Sequence, residues 1–239
     1  DDAAVFPHQT LGFVYEKQEE LFGEKGGFER AADQYLLALS LNDLRDDYRN
    51  EADLLLNVGN AFYNLENYRR AYEFYTRREK AGVHFDVAGR ELVYLERIAK
   101  SAFESNRVDE SVLRYDRALA FLDKIPAKEL PAKTAMEHRA RLLDERAFAL
   151  EQGGKPGEAS VAYLDAAKAN SIAGNDANSA RALRNAALNL FEKGTDGGEV
   201  DAKSLVDALV YLEDSLGAVK KHGVVVQTEK PKGKHGLFS

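Results

Sequence analysis

Apolar residues recur at spacings of three and four along most of the chain, which is the mark of one buried face of an α-helix. Leu55, Val58, Gly59 and Phe62 form one such set. The set returns as Leu95, Ile98, Ala99 and Ala102, then as Leu143, Ala147 and Leu150, and again as Leu183, Ala186, Ala187 and Leu190. Beside these helices lies a second pattern, a small residue followed four positions later by tyrosine: Ala31 and Tyr35, Ala71 and Tyr75, Ser111 and Tyr115, Ala159 and Tyr163. The first three small residues are spaced by 40 and the last interval is 48. Turn formers separate the two helices of each copy: Gly26-Gly27, Glu66-Asn67, Ser105-Asn106 and Gly153-Gly154, where Asn and Gly accept the positive φ that ends a helix. Each copy therefore reads as an antiparallel helical hairpin. Ala208 and Leu212 fit a fifth copy, with the Gly-rich stretch 194–203 inserted between its helices.

Gly59, Ala99, Ala147 and Ala187 fall where they face Ala71, Ser111, Ala159 and Ala208, so that small side chains let paired helices approach closely. One hairpin cannot bury its own apolar face, and neighbours must stack to do so. Composition agrees with an all-α chain: 239 residues, 44% hydrophobic and 31% charged, with 5 prolines to interrupt helices. A net charge of −7 argues against a nucleic-acid partner, and no apolar run is long enough to span a membrane. Without cysteine there is no disulfide or thiolate metal site. His8, His84, His138, His222 and His235 lie far apart and make no paired metal-ligand motif; the sequence calls for no cofactor, no metal and no enzymatic activity. The Gly-rich GGKPG at 153–157 sits at a hairpin turn and is not read as a phosphate loop. A start at Asp1 without Met is what removal of a signal peptide or excision from a longer chain gives, which leaves the compartment open between cytoplasm and export.

Residues 55–78 follow the pattern Leu-x-x-hydrophobic-Gly/Ala-x-x-aromatic, a turn, then Ala-x-x-x-Tyr, with Arg78 in place of a final Ala. In this the chain resembles the tetratricopeptide repeat family, whose unit of about 34 residues is a helical hairpin. The spacing near 40 resembles the lengthened repeats of kinesin light chain-type adaptors. The resemblance implies a right-handed α-solenoid of about five hairpins over residues 11–222, preceded by an extension at 1–10 and followed by a basic tail at 223–239 that is flexible or partly ordered. Glu19 departs from the pattern, standing at the small-residue position of the first copy.

Asn57, Asn60 and Asn64 make a polar stripe on the first helix of the second copy, opposite its apolar face. The family lines its concave groove with first helices, which implies that the stripe faces such a groove. An Asn amide donates and accepts at once and can hold the backbone of an extended peptide. Arg97 and Lys100 occupy the corresponding face of the third copy, Arg141 that of the fourth, and Arg181, Arg184 and Asn185 that of the fifth. These nine residues are the candidate groove, basic and amide-rich, suited to an acidic peptide or protein segment through carboxylate-binding arginines. Glu16 and Glu20 in the first copy and Asp144 and Glu145 in the fourth interrupt it with opposite charge. The stripe is expected to tolerate replacement of Asn57 and Asn60 by Ala without loss of folding. The alternative is an assembly or regulatory module, self-associating into a homo-oligomer or forming part of a larger protein; a solvated polar face would explain the stripe equally simply.

Overall fold

The structure, a computed structural model, describes residues 2–42, 48–82, 87–195 and 202–222. Among them all regular elements are α-helices: α1 (Asp2–Phe22), α2 (Gly27–Asn42), α3 (Tyr48–Asn64), α4 (Tyr68–Lys80), α5 (Ala88–Glu104), α6 (Val108–Leu122), α7 (Ala132–Gln152), α8 (Pro156–Ile172), α9 (Asp176–Thr195) and α10 (Ala202–His222). The contacts divide them into two compact units, Asp1–Pro131 and Ala132–Ser239. In the first unit α1 pairs with α2, α3 with α4 and α5 with α6, while α2 packs on α3 and α4 on α5. In the second, α7 pairs with α8 and α9 with α10, and α8 packs on α9. The helical hairpin expected from the repeat is thus the building block of both units. Residues 2–10, set apart in the sequence as an extension, are the first half of α1, and Val5 is buried with Leu39, Leu54 and Leu55. The tail from 223 and His84 lie outside the described residues.

The turns show why the hairpins close where they do. After α3, α5 and α7 the chain makes the same pair of backbone hydrogen bonds. Asn67 N donates to Phe62 O at 2.9 Å and Glu66 N to Tyr63 O at 3.0 Å, and Arg107, Asn106, Lys155 and Gly154 repeat the geometry. This crossed pair satisfies the last carbonyls of a helix and needs one residue in left-handed conformation. That residue is Asn106 (φ 62) in the third copy and Gly154 (φ 70) in the fourth, as the turn formers suggest. In the second copy it is Glu66 (φ 56), and Asn67 instead caps α4, its side chain accepting from Arg70 N at 3.3 Å.

Close packing at the small positions is direct. Ala71, Ala99, Ala147, Ala159 and Ala187 are fully buried, as are Tyr75 and Ser111. A Cβ on Gly59 would meet the Tyr75 ring at 2.6 Å, so the ring lies against bare backbone. The first copy solves the same problem differently. Glu19 fills the small-residue position and Gly27 on α2 yields the space: a Cβ there would stand 2.4 Å from Tyr15 O and 2.8 Å from Glu19 Cβ. The Glu19 carboxylate then accepts from Phe28 N at 2.7 Å, serving an otherwise unpaired donor at the start of α2. Tyr35 finds its glycine one helical turn pair earlier, at Gly12.

Arg78, the departure from the family's final Ala, is buried between α4 and α5. Its guanidinium lies 4.2 Å from the Tyr94 ring centroid and 3.9 Å from Glu91 Oε2, and both side chains of this ion pair are at least nine-tenths buried. Nearby, Arg114 of α6 bonds Glu79 and the Tyr72 hydroxyl of α4 and Glu110 of its own helix, and Arg117 also bonds Glu79. Second helices of adjacent copies are tied by these charged hydrogen bonds.

Candidate peptide-binding face

The nine residues nominated from sequence fall in both units, and their surroundings differ sharply. In the first unit the polar stripe of α3 lies between α1 and α5. Asn64 Nδ2 donates to Glu16 Oε1 of α1 at 3.4 Å. Asn60 Oδ1 accepts two hydrogen bonds, from the Tyr75 hydroxyl at 2.8 Å and from Arg97 Nη1 of α5 at 2.7 Å. Glu16 in turn accepts from the Tyr35 hydroxyl at 3.0 Å. The stripe therefore does what sequence reasoning did not foresee, joining first helices of neighbouring copies and holding the repeat tyrosines. Asn60 therefore has a structural partner on each side, and its loss would take the acceptor from the Tyr75 hydroxyl.

Burial raises the Glu16 carboxyl above its ordinary range; the Tyr35 bond pulls back, Glu20 pushes up, and Lys17 and Arg97 pull down. Burial also raises Tyr75, with Arg97 opposing. Tyr94, whose hydroxyl donates to Tyr75 O at 2.9 Å, is pushed up to about 12 by burial. These hydroxyls stay protonated and act as donors.

Arg97 spends one nitrogen on neutral Asn60 and lays its guanidinium 5.1 Å from the Tyr63 ring centroid. Lys100 follows one turn later on the same helix. Neither cation forms an ion pair with a described residue. Between α3 and α5 opens a cleft of about 300 Å³ lined by Leu56, Asn60, Arg90, Val93, Tyr94 and Arg97, with Gly89 at its edge. Leu56 and Tyr94 give it an apolar floor, and Val93 stands 41% exposed at its mouth. Sequence reading missed Leu56, Gly89, Arg90, Val93 and Tyr94. Leu56 sits beside the core residue Leu55, one step off the stripe, a position the helical period assigns to neither face.

In the second unit one nominated cation, Arg181, holds a carboxylate, while Arg141 and Arg184 lie against neutral groups. Arg181 Nη2 donates to Asp144 Oδ2 at 2.9 Å across α9 and α7. Burial raises the Asp144 carboxyl and Arg181 draws it back. Glu151 accepts from the Tyr163 hydroxyl at 3.0 Å and from Asn189 Nδ2 at 3.1 Å. Arg184 Nη2 donates to Asn185 Oδ1 at 3.2 Å, and Arg141 Nη2 lies 2.9 Å from His138 Nδ1. Opposite charges that seemed to break the groove, Asp144 against Arg181, are partners. Among the described residues no group of three or more His, Asp or Glu is placed to hold a metal ion, and no helix is long and apolar enough to cross a membrane.

No family model matches the sequence and no curated protein matches it. Solved structures do. The MamA protein superposes with a TM-score of 0.62 at 15% identity, covering 97% of this chain and 100% of that one. The putative kinesin light chain of Podosopora anserina, with nearly identical TPR-like repeats, gives 0.59 at 12%, covering 90% and 96%. YrrB, described as a TPR protein with an unusual peptide-binding site, gives 0.53 at 16%, covering 91% of each chain. At such identities the likeness is one of fold, and it agrees with the hairpins, turns and small-residue contacts above. The fold is all-α and built of helical hairpins, like that of these tetratricopeptide-type structures.

Proposed function

We propose that the protein is an interaction scaffold that binds an acidic segment of another protein on the first-helix face of its second and third copies. The observation that carries this reading is the pair Arg97 and Lys100, two cations one turn apart beside an open cleft, neither in an ion pair with a described residue, with the Glu16 carboxylate attracting Arg97 only at longer range. Arginine in such surroundings pairs well with an incoming carboxylate, because its own hydrogen bond is to a neutral amide. Asn57, on the same face of α3, adds an amide for peptide backbone. The second unit contributes less to this chemistry, since Arg181 already holds Asp144. The test is affinity capture from lysate with mass spectrometry. The double variant Arg97→Glu, Lys100→Glu loses the captured partners and Arg181→Glu retains them; equal capture by all three proteins overturns the reading.

A second reading, self-association, is favoured by α10, where Val206, Leu209, Val210 and Leu216 recur on one face and are each about half exposed or more. Light scattering decides it: mass that grows with concentration, and that Leu209→Glu abolishes, supports association through α10.

A further inference from the structure

We infer that copies of this chain join end to end, the open face of α10 in one copy seating on the open face of α1 in another. The inference rests on the reading that α10 self-associates, and it names the surface that α10 meets. Inside each unit a second helix packs on the first helix of the next copy at fixed positions. Leu39 of α2 clusters with Leu54 of α3, and Ala167 of α8 with Ala182 of α9. Tyr94 of α5, the counterpart of Leu54, packs edge-on against Tyr75 of α4. Aligned on the small residues Ala31, Ala159 and Ala208, Leu216 of α10 stands where Leu39 and Ala167 do, and Leu209 where Ala32 and Ser160 do. All four counterparts are buried, yet Leu209 is 61% exposed and Leu216 58%.

The converse surface lies on α1. Gly12 meets the Tyr35 ring as Gly59 meets that of Tyr75, which fixes the register of α1 on α3. Leu11 and Val14 then stand where Val58 and Ala61 do, and Pro7 where Leu54 does. Those residues of α3 are fully buried, whereas Leu11 is 38% exposed, Val14 44%, and Pro7 is exposed as well. With Leu21 they make an apolar stripe at i, i+4, i+7 and i+14. Among the described residues α1 packs on α2, its own hairpin partner, and the side that α3, α5 and α9 give to a preceding second helix is open. What fits this stripe is a second helix with apolar residues at the positions of Leu209 and Leu216, and α10 is one. Apolar contacts between copies run from second helix to first helix, which α10 on α1 reproduces and α10 on α10 does not. Unlike faces in contact leave one of each kind open on every pair, so assembly continues beyond two chains.

Light scattering on the full chain tests this with two variants altered only at exposed side chains. One is blocked on α10 (Leu209→Glu, Leu216→Glu) and one on α1 (Leu11→Glu, Val14→Glu). The parent's mass is expected to rise with concentration past that of two chains, and each variant alone to stay at one chain. Their equimolar mixture is expected to stop at two chains, because one intact face of each kind remains. A parent that stays at one chain, or an α10-blocked variant that associates as the parent does, overturns this contact and the α10 reading together. An α1-blocked variant that associates as the parent does overturns the contact alone and leaves α10 meeting itself. A mixture that stays at one chain overturns the contact too. The chain has no cysteine, so single-cysteine variants give a check that adds no charge. On mild oxidation, Pro7→Cys mixed with Leu216→Cys is expected to form the mixed disulfide in preference to either self-disulfide. A statistical mixture overturns the contact, and a preference for the Leu216→Cys self-disulfide leaves only the α10 reading.

Discussion

The Tyr75 ring lies on the bare backbone of Gly59, its Cε1 atom 2.6 Å from where a Cβ would be. Gly59→Ala must push a buried ring aside. Overpacking of this kind costs about 1–3 kcal/mol, while exchanging helical Gly for Ala returns up to about 1 kcal/mol. The expected net loss is about 1 kcal/mol in chemical denaturation. Gly89→Ala, which has open space around its Cβ, is expected to be neutral or stabilising. Equal effects of the two would contradict the packing described for the second hairpin.

Arg78 and Glu91 form a buried pair under Tyr94. Arg78→Ala restores the residue the family pattern calls for, yet it leaves Glu91 buried without its cation. A loss of about 3–5 kcal/mol is expected, whereas Arg78→Met with Glu91→Leu stays close to the parent, since apolar replacement of a buried pair is often neutral. Urea midpoints of the three proteins check this.

Asn60 accepts from Tyr75 and Arg97 together. Asn60→Ala is expected to cost about 1–3 kcal/mol by leaving the Tyr75 hydroxyl without an acceptor, and Tyr75→Phe to remove most of that penalty in the double variant. Asn57→Ala, which removes no hydrogen bond seen among the described residues, leaves stability nearly unchanged. A double-mutant cycle in urea that shows additive losses for Asn60 and Tyr75 would show that the hydroxyl is served elsewhere.

Glu16 carries a pH dependence of defined sign. Its environment is Tyr35 from α2, Asn64 from α3, Arg97 from α5, and Lys17 and Glu20 on its own helix. Burial raises its folded-state pKa above the ordinary 4.5, so its contribution to stability is complete below that value and is lost as pH rises through the folded-state value. Glu16→Gln is therefore expected to gain stability relative to the parent as pH rises from about 4.5 toward neutrality. Denaturation midpoints of both proteins across that range measure the difference, and a difference independent of pH would contradict it.

Helix number, hairpin pairing and the small positions were legible because they follow from local period and from a repeat visible in one dimension. Glu19 and Arg78 were visible as departures, but not their resolution. Glu19 depends on Gly27, which the sequence marks only as a turn former, and Arg78 depends on Glu91, which looks like any first-turn acid of a helix. The hydrogen bonds within the polar ladder were not legible because its partners sit a repeat away. Asn60 and Arg97 are 37 residues apart, as are Asp144 and Arg181, and Glu151 and Asn189 are 38 apart. With Gly59 and Ala99, and Ala147 and Ala187, spaced by 40, those separations are one repeat less about one helical turn. Complementary polar residues at that offset were the available signal. The cleft had no such signal, because it arises from the way two helices diverge.

The central claim is that the faces of α3 and α5 hold an acidic segment of a partner. Amide hydrogen exchange on the full chain, with and without a saturating acidic peptide, reads this most directly. The account predicts added protection in 48–64 and 88–104, with α7 to α9 unchanged. Protection centred on α7 to α9, or unaltered exchange in α3 and α5 with the peptide bound, would contradict it.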